Sequence, residues 1–97
     1  MDARLTPAAL ADLEDIDDYV TENFGPARAI ETARELFKTF EQLAVHPHMG
    51  RAIPSVAAKP VRFLHLKPYW IVYQPGTPVL IHRIYHASRD LSRLSLK

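Results

Sequence analysis

Apolar residues recur along this chain in two rhythms, one helical and one of strands. Leu10, Leu13, Ile16, Val20 and Phe24 fall at steps of three and four, which makes a single stripe on a helix of 3.6 residues per turn. Thr6 is placed to cap that helix and Pro7 suits its first position, where a missing N–H leaves nothing unpaired. Gly25 supplies the left-handed residue that ends it, and Pro26 opens a second helix at once. There Ile30, Ala33, Phe37, Phe40 and Ala44 repeat the helical step as far as about Val45, with Ala29, Leu36 and Leu43 widening the stripe. A Gly-Pro link between two such stripes predicts an antiparallel helical hairpin.

After residue 60 the rhythm shortens. Val61–Leu66, Trp70–Gln74 and Val79–His86 are runs of β-branched and aromatic residues, the types that fit a pleated, half-buried surface. Lys67-Pro68-Tyr69 and Pro75-Gly76-Thr77-Pro78 separate them as turns, so the three form an antiparallel meander. Neither alternating set of the last run is purely apolar: Val79, Ile81, Arg83 and Tyr85 face one way, and Leu80, His82, Ile84 and His86 the other. Basic and aromatic groups inside a buried-looking strand mark a candidate functional surface. Ala3–Thr6 is compatible with a brief first strand, and Arg51–Pro60 reads as a loop crossing to the sheet. Ser88–Leu96 has room for one or two helical turns. The expected fold is α+β and a single domain over residues 1–97: a helical hairpin packed on a three- to four-stranded, mainly antiparallel sheet, in the order (β)ααβββ with a short C-terminal tail. Phe40, on the stripe shared by both spacings of the second helix, is expected in the core.

Composition changes this picture in two places. With no cysteine among 97 residues, disulfides, thiolate metal sites and cysteine nucleophiles are excluded. No apolar run is long enough to span a bilayer and no signal pattern opens the chain, so a cytoplasmic protein is expected. The net charge of +1 conceals a polarity: residues 1–50 carry ten acids and four bases, residues 51–97 one acid and eight bases. Either the halves neutralise each other by packing, or the basic half meets an acidic partner or a polyanion.

The phrases LTPAALADLEDIDDYV, FGPARAIETARELFKTFEQLAVHPHMGR, VRFLHLKPYWIVYQ and LIHRIYHASRDL together resemble the ParE branch of the RelE/ParE toxins of bacterial toxin–antitoxin modules. The most specific words are Phe24-Gly25, the Pro47-x-Met49-Gly50-Arg51 turn, Val61-Arg62, and Arg83 with His86 and Arg89-Asp90. The resemblance implies a growth-inhibiting toxin held inactive by a cognate antitoxin with an acidic C-terminal segment, in a toxin–antitoxin hetero-oligomer. ParE-like members are associated with poisoning of DNA gyrase, and RelE-like members with cleavage of mRNA on the ribosome.

A metal-free ribonuclease needs a base, an acid, and cations for the phosphorane charge. Arg62, Arg83 and His86 are the candidates, with His86 the acid or base because imidazole titrates near neutrality; Tyr85 and Arg89 flank them. Lys59 and Arg62 are all that stands for the basic cluster of RelE-like enzymes, and the chain continues past His86 in the ParE-like manner. The expected role is therefore binding rather than catalysis, with Arg51, Arg62, Arg83, His86, Arg89 and Arg93 as the contact set. The competing role for Arg83 and Arg89 is ion pairing with Asp90 or the acidic first helix. His82 with His86, and His46 with His48, leave any metal shell short of ligands, so neither metal nor cofactor is expected. The acids from Asp12 to Asp18 read as a solvated helix face, and Tyr69, Trp70 and Tyr73 as sheet core.

Overall fold

The computed structural model describes residues 2–52 and 60–86. Strand β1 (Ala3–Leu5) is followed by helices α1 (Pro7–Phe24) and α2 (Pro26–Val45), then by β2 (Arg51–Ala52), β3 (Arg62–Leu66), β4 (Tyr69–Gln74) and β5 (Val79–His86). The sheet order is β1-β5-β4-β3-β2. β1 runs parallel to β5 and every other neighbouring pair is antiparallel. The class is α+β, as the spacing predicts. The sheet is one strand larger than expected because Arg51–Ala52, read as loop, pairs with Phe63 and Arg62. The predicted helical turns of Ser88–Leu96 lie outside the described residues.

Local chemistry sets the helix ends. The Thr6 hydroxyl accepts from the Ala9 N–H at 3.2 Å and donates to the His82 carbonyl at 2.9 Å, so one side chain caps α1 and ties its start to β5. Gly25, at φ 91°, stands between the helices and donates its N–H to the Thr21 carbonyl; a side chain there would strain the backbone.

The core lies between the hairpin and one face of the sheet. Leu36, Phe40 and Leu43 from α2 meet Ile71, Tyr73, Val79, Ile81 and Ile84. Phe40 is fully buried, as expected. The residues of α2 that reach this core are Leu36, Phe40 and Leu43, with Ala44 packed against it. Ile30 and Phe37, on the same periodicity, stay 55% and 40% exposed, as do Leu10 and Phe24 of α1 at 50% and 66%.

The mixed alternation of β5 has a geometric cause. Val72 stands opposite Arg83 but Tyr73 stands opposite Ile81, so His82 is an inserted residue. Such a bulge reverses the parity of everything after it. Val79 and Ile81 before it, and Ile84 after it, therefore share the core face, although strict alternation separates them.

Tyr73 pins the turn after α2 onto the sheet. Its hydroxyl donates to the Pro47 carbonyl at 2.7 Å and accepts the Gly50 N–H at 2.8 Å, while Arg62 Nη1 donates to the Gly50 carbonyl at 2.6 Å. A Cβ on Gly50 would sit 2.7 Å from the Tyr73 ring and hydroxyl, which is why only glycine fits. Burial raises the Tyr73 phenol above its ordinary value, opposed by the Gly50 hydrogen bond and the charge of Arg62. A raised folded pKa means stability that is whole below the unfolded value near 10 and is lost as pH climbs through the folded one. Tyr73→Phe removes two hydrogen bonds and is expected to cost about 1–3 kcal/mol at pH 7. It should also make the fall in stability above pH ~10 shallower; urea midpoints at pH 8, 10 and 11 measure both effects. An unchanged midpoint at pH 8 would show that the hub carries no stability.

Candidate functional site

The residues singled out from the sequence occupy different places. Arg62 is half-buried and committed to the Gly50 carbonyl. Arg83 makes a two-pronged contact with Asp12 of α1, Nε to Oδ2 at 2.8 Å and Nη2 to Oδ1 at 3.0 Å. The ion pair foreseen between Arg83 and the first helix is present, and Asp12 is the one acid of the Asp12–Asp18 run that is not simply solvated.

Asp12 does more than neutralise. Its Oδ2 also accepts the Ile84 N–H at 2.9 Å. β1 ends at Leu5, opposite Ile81, so beyond that point a carboxylate takes the place of a neighbouring strand for this donor. The hydrogen bond that Arg83 donates to Asp12 is the main cause of the raised Arg83 pKa, and the guanidinium lies 4.6 Å from the centre of the Tyr85 ring.

Arg62 stands opposite Tyr73, and His86 opposite Tyr69 at the other end of β4. Four residues of strand separate those positions by roughly 13 Å. Arg83, level with Val72, lies between them but is turned to Asp12. The three do not surround a common point at which a reacting atom could sit. Arg51 is exposed on β2, and Arg89 and Arg93 lie outside the described residues.

His86 sits where the chain offers open surface. It meets the Tyr69 ring edge-on with centroids 6.0 Å apart. Both rings line two adjoining clefts between the hairpin and the sheet end, of roughly 470 and 390 Å³. Tyr19 lines both as well; Arg28, Glu35 and Lys67 line the larger, and Asp12 and Asp15 the smaller. Burial raises the Tyr69 phenol, with Tyr19 and Glu35 adding and Arg28 opposing. Tyr19 and Arg28 were not sequence candidates for this site, and Tyr69, read as sheet core, packs against the core while also lining both clefts. The one signal available was Tyr19, an aromatic off the apolar stripe and among acids. Among the described residues no helix is long and apolar enough to cross a membrane.

A helical hairpin on one face of a mixed sheet, with open clefts where the hairpin meets the sheet end, defines a small two-layer α+β protein. A solved structure with this architecture, titled chromosomal ParDE TA system from P. aeruginosa, superposes with a TM-score of 0.73. The match covers 91% of this chain and 97% of that one at 25% identity. Toxin ParE1 of Caulobacter vibrioides is 36% identical over 87 residues, 90% of each chain. Residues 3–91 match the family described as ParE toxin of type II toxin-antitoxin system, parDE, and the chain belongs to that family.

Proposed function

We propose that this chain is a toxin that stops DNA gyrase by binding it, and that a cognate antitoxin with an acidic C-terminal segment neutralises it. The observation that carries the binding reading is the dispersal of Arg62, Arg83 and His86. Both arginines are spent, Arg62 on a turn carbonyl and Arg83 on Asp12, so neither is aimed at a transferring phosphoryl group. The contact set is Arg51, Arg62, Arg83, His86, Arg89 and Arg93, all drawn from the base-rich residues after position 50. The antitoxin reading is supported by family membership, by the surplus of bases after residue 50, and by apolar side chains the helices leave exposed. A disordered acidic segment that folds on such a surface buries a large area and tolerates loss of single charge contacts.

The test separates binding from chemistry. A general acid or base contributes about 10²–10⁴ in rate, whereas a residue that only fills space contributes far less. His86→Gln keeps shape and one hydrogen bond but removes the titratable proton. The folded variant is expected to inhibit gyrase supercoiling as the parent does, and the parent to leave mRNA on translating ribosomes uncut. Truncation from Arg89 removes three of the eight late cations and should weaken inhibition more than His86→Gln. Codon-dependent cleavage by the parent, abolished in His86→Gln, would replace this reading with a ribosome-dependent endonuclease.

A further inference from the structure

The exposed side of the helical hairpin is apolar and carries charge in a definite pattern. A groove of roughly 280 Å³ runs between α1 and α2, lined by Leu10, Leu13, Ala33 and Phe37, with Glu14 and Asp17 on the α1 side. Leu10, Ile30 and Phe37 are 50%, 55% and 40% exposed. A soluble chain rarely leaves so continuous an apolar strip uncovered. On α2 the bases Arg34 and Lys38 directly follow Ala33 and Phe37, and both are exposed. The one ion pair among the described residues is Arg83 with Asp12, so Glu14, Asp17, Arg34 and Lys38 enter no ion pair there.

We propose that this face pairs with a second copy of the chain, the four helices forming an antiparallel bundle. Symmetry selects the arrangement. A twofold axis along the helices sets each α1 over the partner's α2; a twofold axis across them sets α1 on α1, acid against acid. The first closes the dimer and matches the charges. The helices run in opposite directions from Gly25, so residues at similar separations from that link lie at similar heights. Asp17 then meets the partner's Arg34, and Glu14 approaches the partner's Lys38, each contact made twice. Leu10, Ile30, Ala33 and Phe37 interdigitate between them, as apolar positions at three- and four-residue steps do in bundles. Helices of 18 and 20 residues are about 27–30 Å long. They offer on the order of 700 Å² per copy, close to the standard interface scale. Glu41 lies outside this pattern, with no base placed to meet it. The pairing covers some of the same apolar side chains offered above to an antitoxin segment, so the two occupants exclude each other on this face. Its test requires neither gyrase nor an antitoxin.

Sedimentation velocity of the full chain from ~1 to ~200 µM in low salt tests the pairing. The mass is expected to rise with concentration from one chain to two. Phe37→Asp should weaken dimerisation by ~100-fold or more, because it places a charge at the centre of the apolar strip. Asp17→Arg, with no core contact at stake, should weaken it ~10-fold through two symmetric repulsions. Asp17→Arg combined with Arg34→Asp restores both contacts with their signs exchanged and should return dimerisation to within ~3-fold of the parent. Circular dichroism verifies that each variant is folded. A chain that stays monomeric throughout overturns the proposal, even if the face then captures a helix from another protein. So does a dimer indifferent to Phe37→Asp, or a double reversal that fails to restore what the single one lost.

Discussion

Phe40→Ala is expected to lower the unfolding free energy by about 3–5 kcal/mol, the range for deleting a buried phenylalanine. The side chain is fully buried. It belongs to the cluster that joins α2 to Ile71, Tyr73, Val79 and Ile81 of the central strands. The strands around it are held by ladders on both sides and are poorly placed to collapse into the vacated volume, so the cavity cost adds to the lost transfer energy. Phe37, whose ring is edge-on to Phe40 at 5.6 Å but 40% exposed, provides the comparison; Phe37→Ala should cost about 1 kcal/mol. Urea unfolding at unchanged m-value measures the difference. An equal midpoint for the parent and Phe40→Ala would refute the assigned core.

Asp12→Ala is the second large effect, expected to cost about 2–4 kcal/mol. Three donors lose their acceptor at once: two from the Arg83 guanidinium and the Ile84 N–H. Removing one partner of a fully buried pair costs about 3–5 kcal/mol. Here the side chains are 31% and 12% exposed, so water recovers part of the guanidinium's solvation and the figure falls below that range. The Ile84 N–H is the harder loss, since β1 has already ended. Arg83→Ala leaves the bond donated by the Ile84 N–H to Asp12 intact and should cost less than Asp12→Ala. A double-mutant cycle over Asp12 and Arg83 isolates their coupling. If Asp12→Ala costs no more than replacing an exposed acid such as Asp18, the latch from α1 to β5 has no energetic role.

These two sites show how differently the sequence speaks about packing and about placement. The hairpin and the meander were legible because their signals are local: a cap and a proline start each helix, a glycine divides them, and the change from helical to alternating rhythm marks the sheet. Phe40 was legible for the same reason. The family was legible too, because its words span nearly the whole chain. β2 was not, since two residues carry no periodicity; only pairing with β3 makes Arg51–Ala52 a strand.

Other features depended on contacts distant in sequence. Six acids line α1, and nothing in their spacing separates Asp12 from the rest; that it faces the open edge of β5 follows from how the helix lies on the sheet, 71 residues away along the chain. Arg62 reads as a catalytic or target-binding cation until Tyr73 and Gly50 bring its guanidinium to a turn carbonyl. The apolar stripe of α2 names one side of a helix, but a single sheet covers only part of it, leaving Ile30 and Phe37 outside. What the sequence alone determined was the order, type and apolar side of the main elements, since these follow from residue chemistry repeated at short range. What tertiary structure decided was the facing of β5 past His82, where one inserted residue reverses every side chain after it, and with that where Arg83 and His86 point.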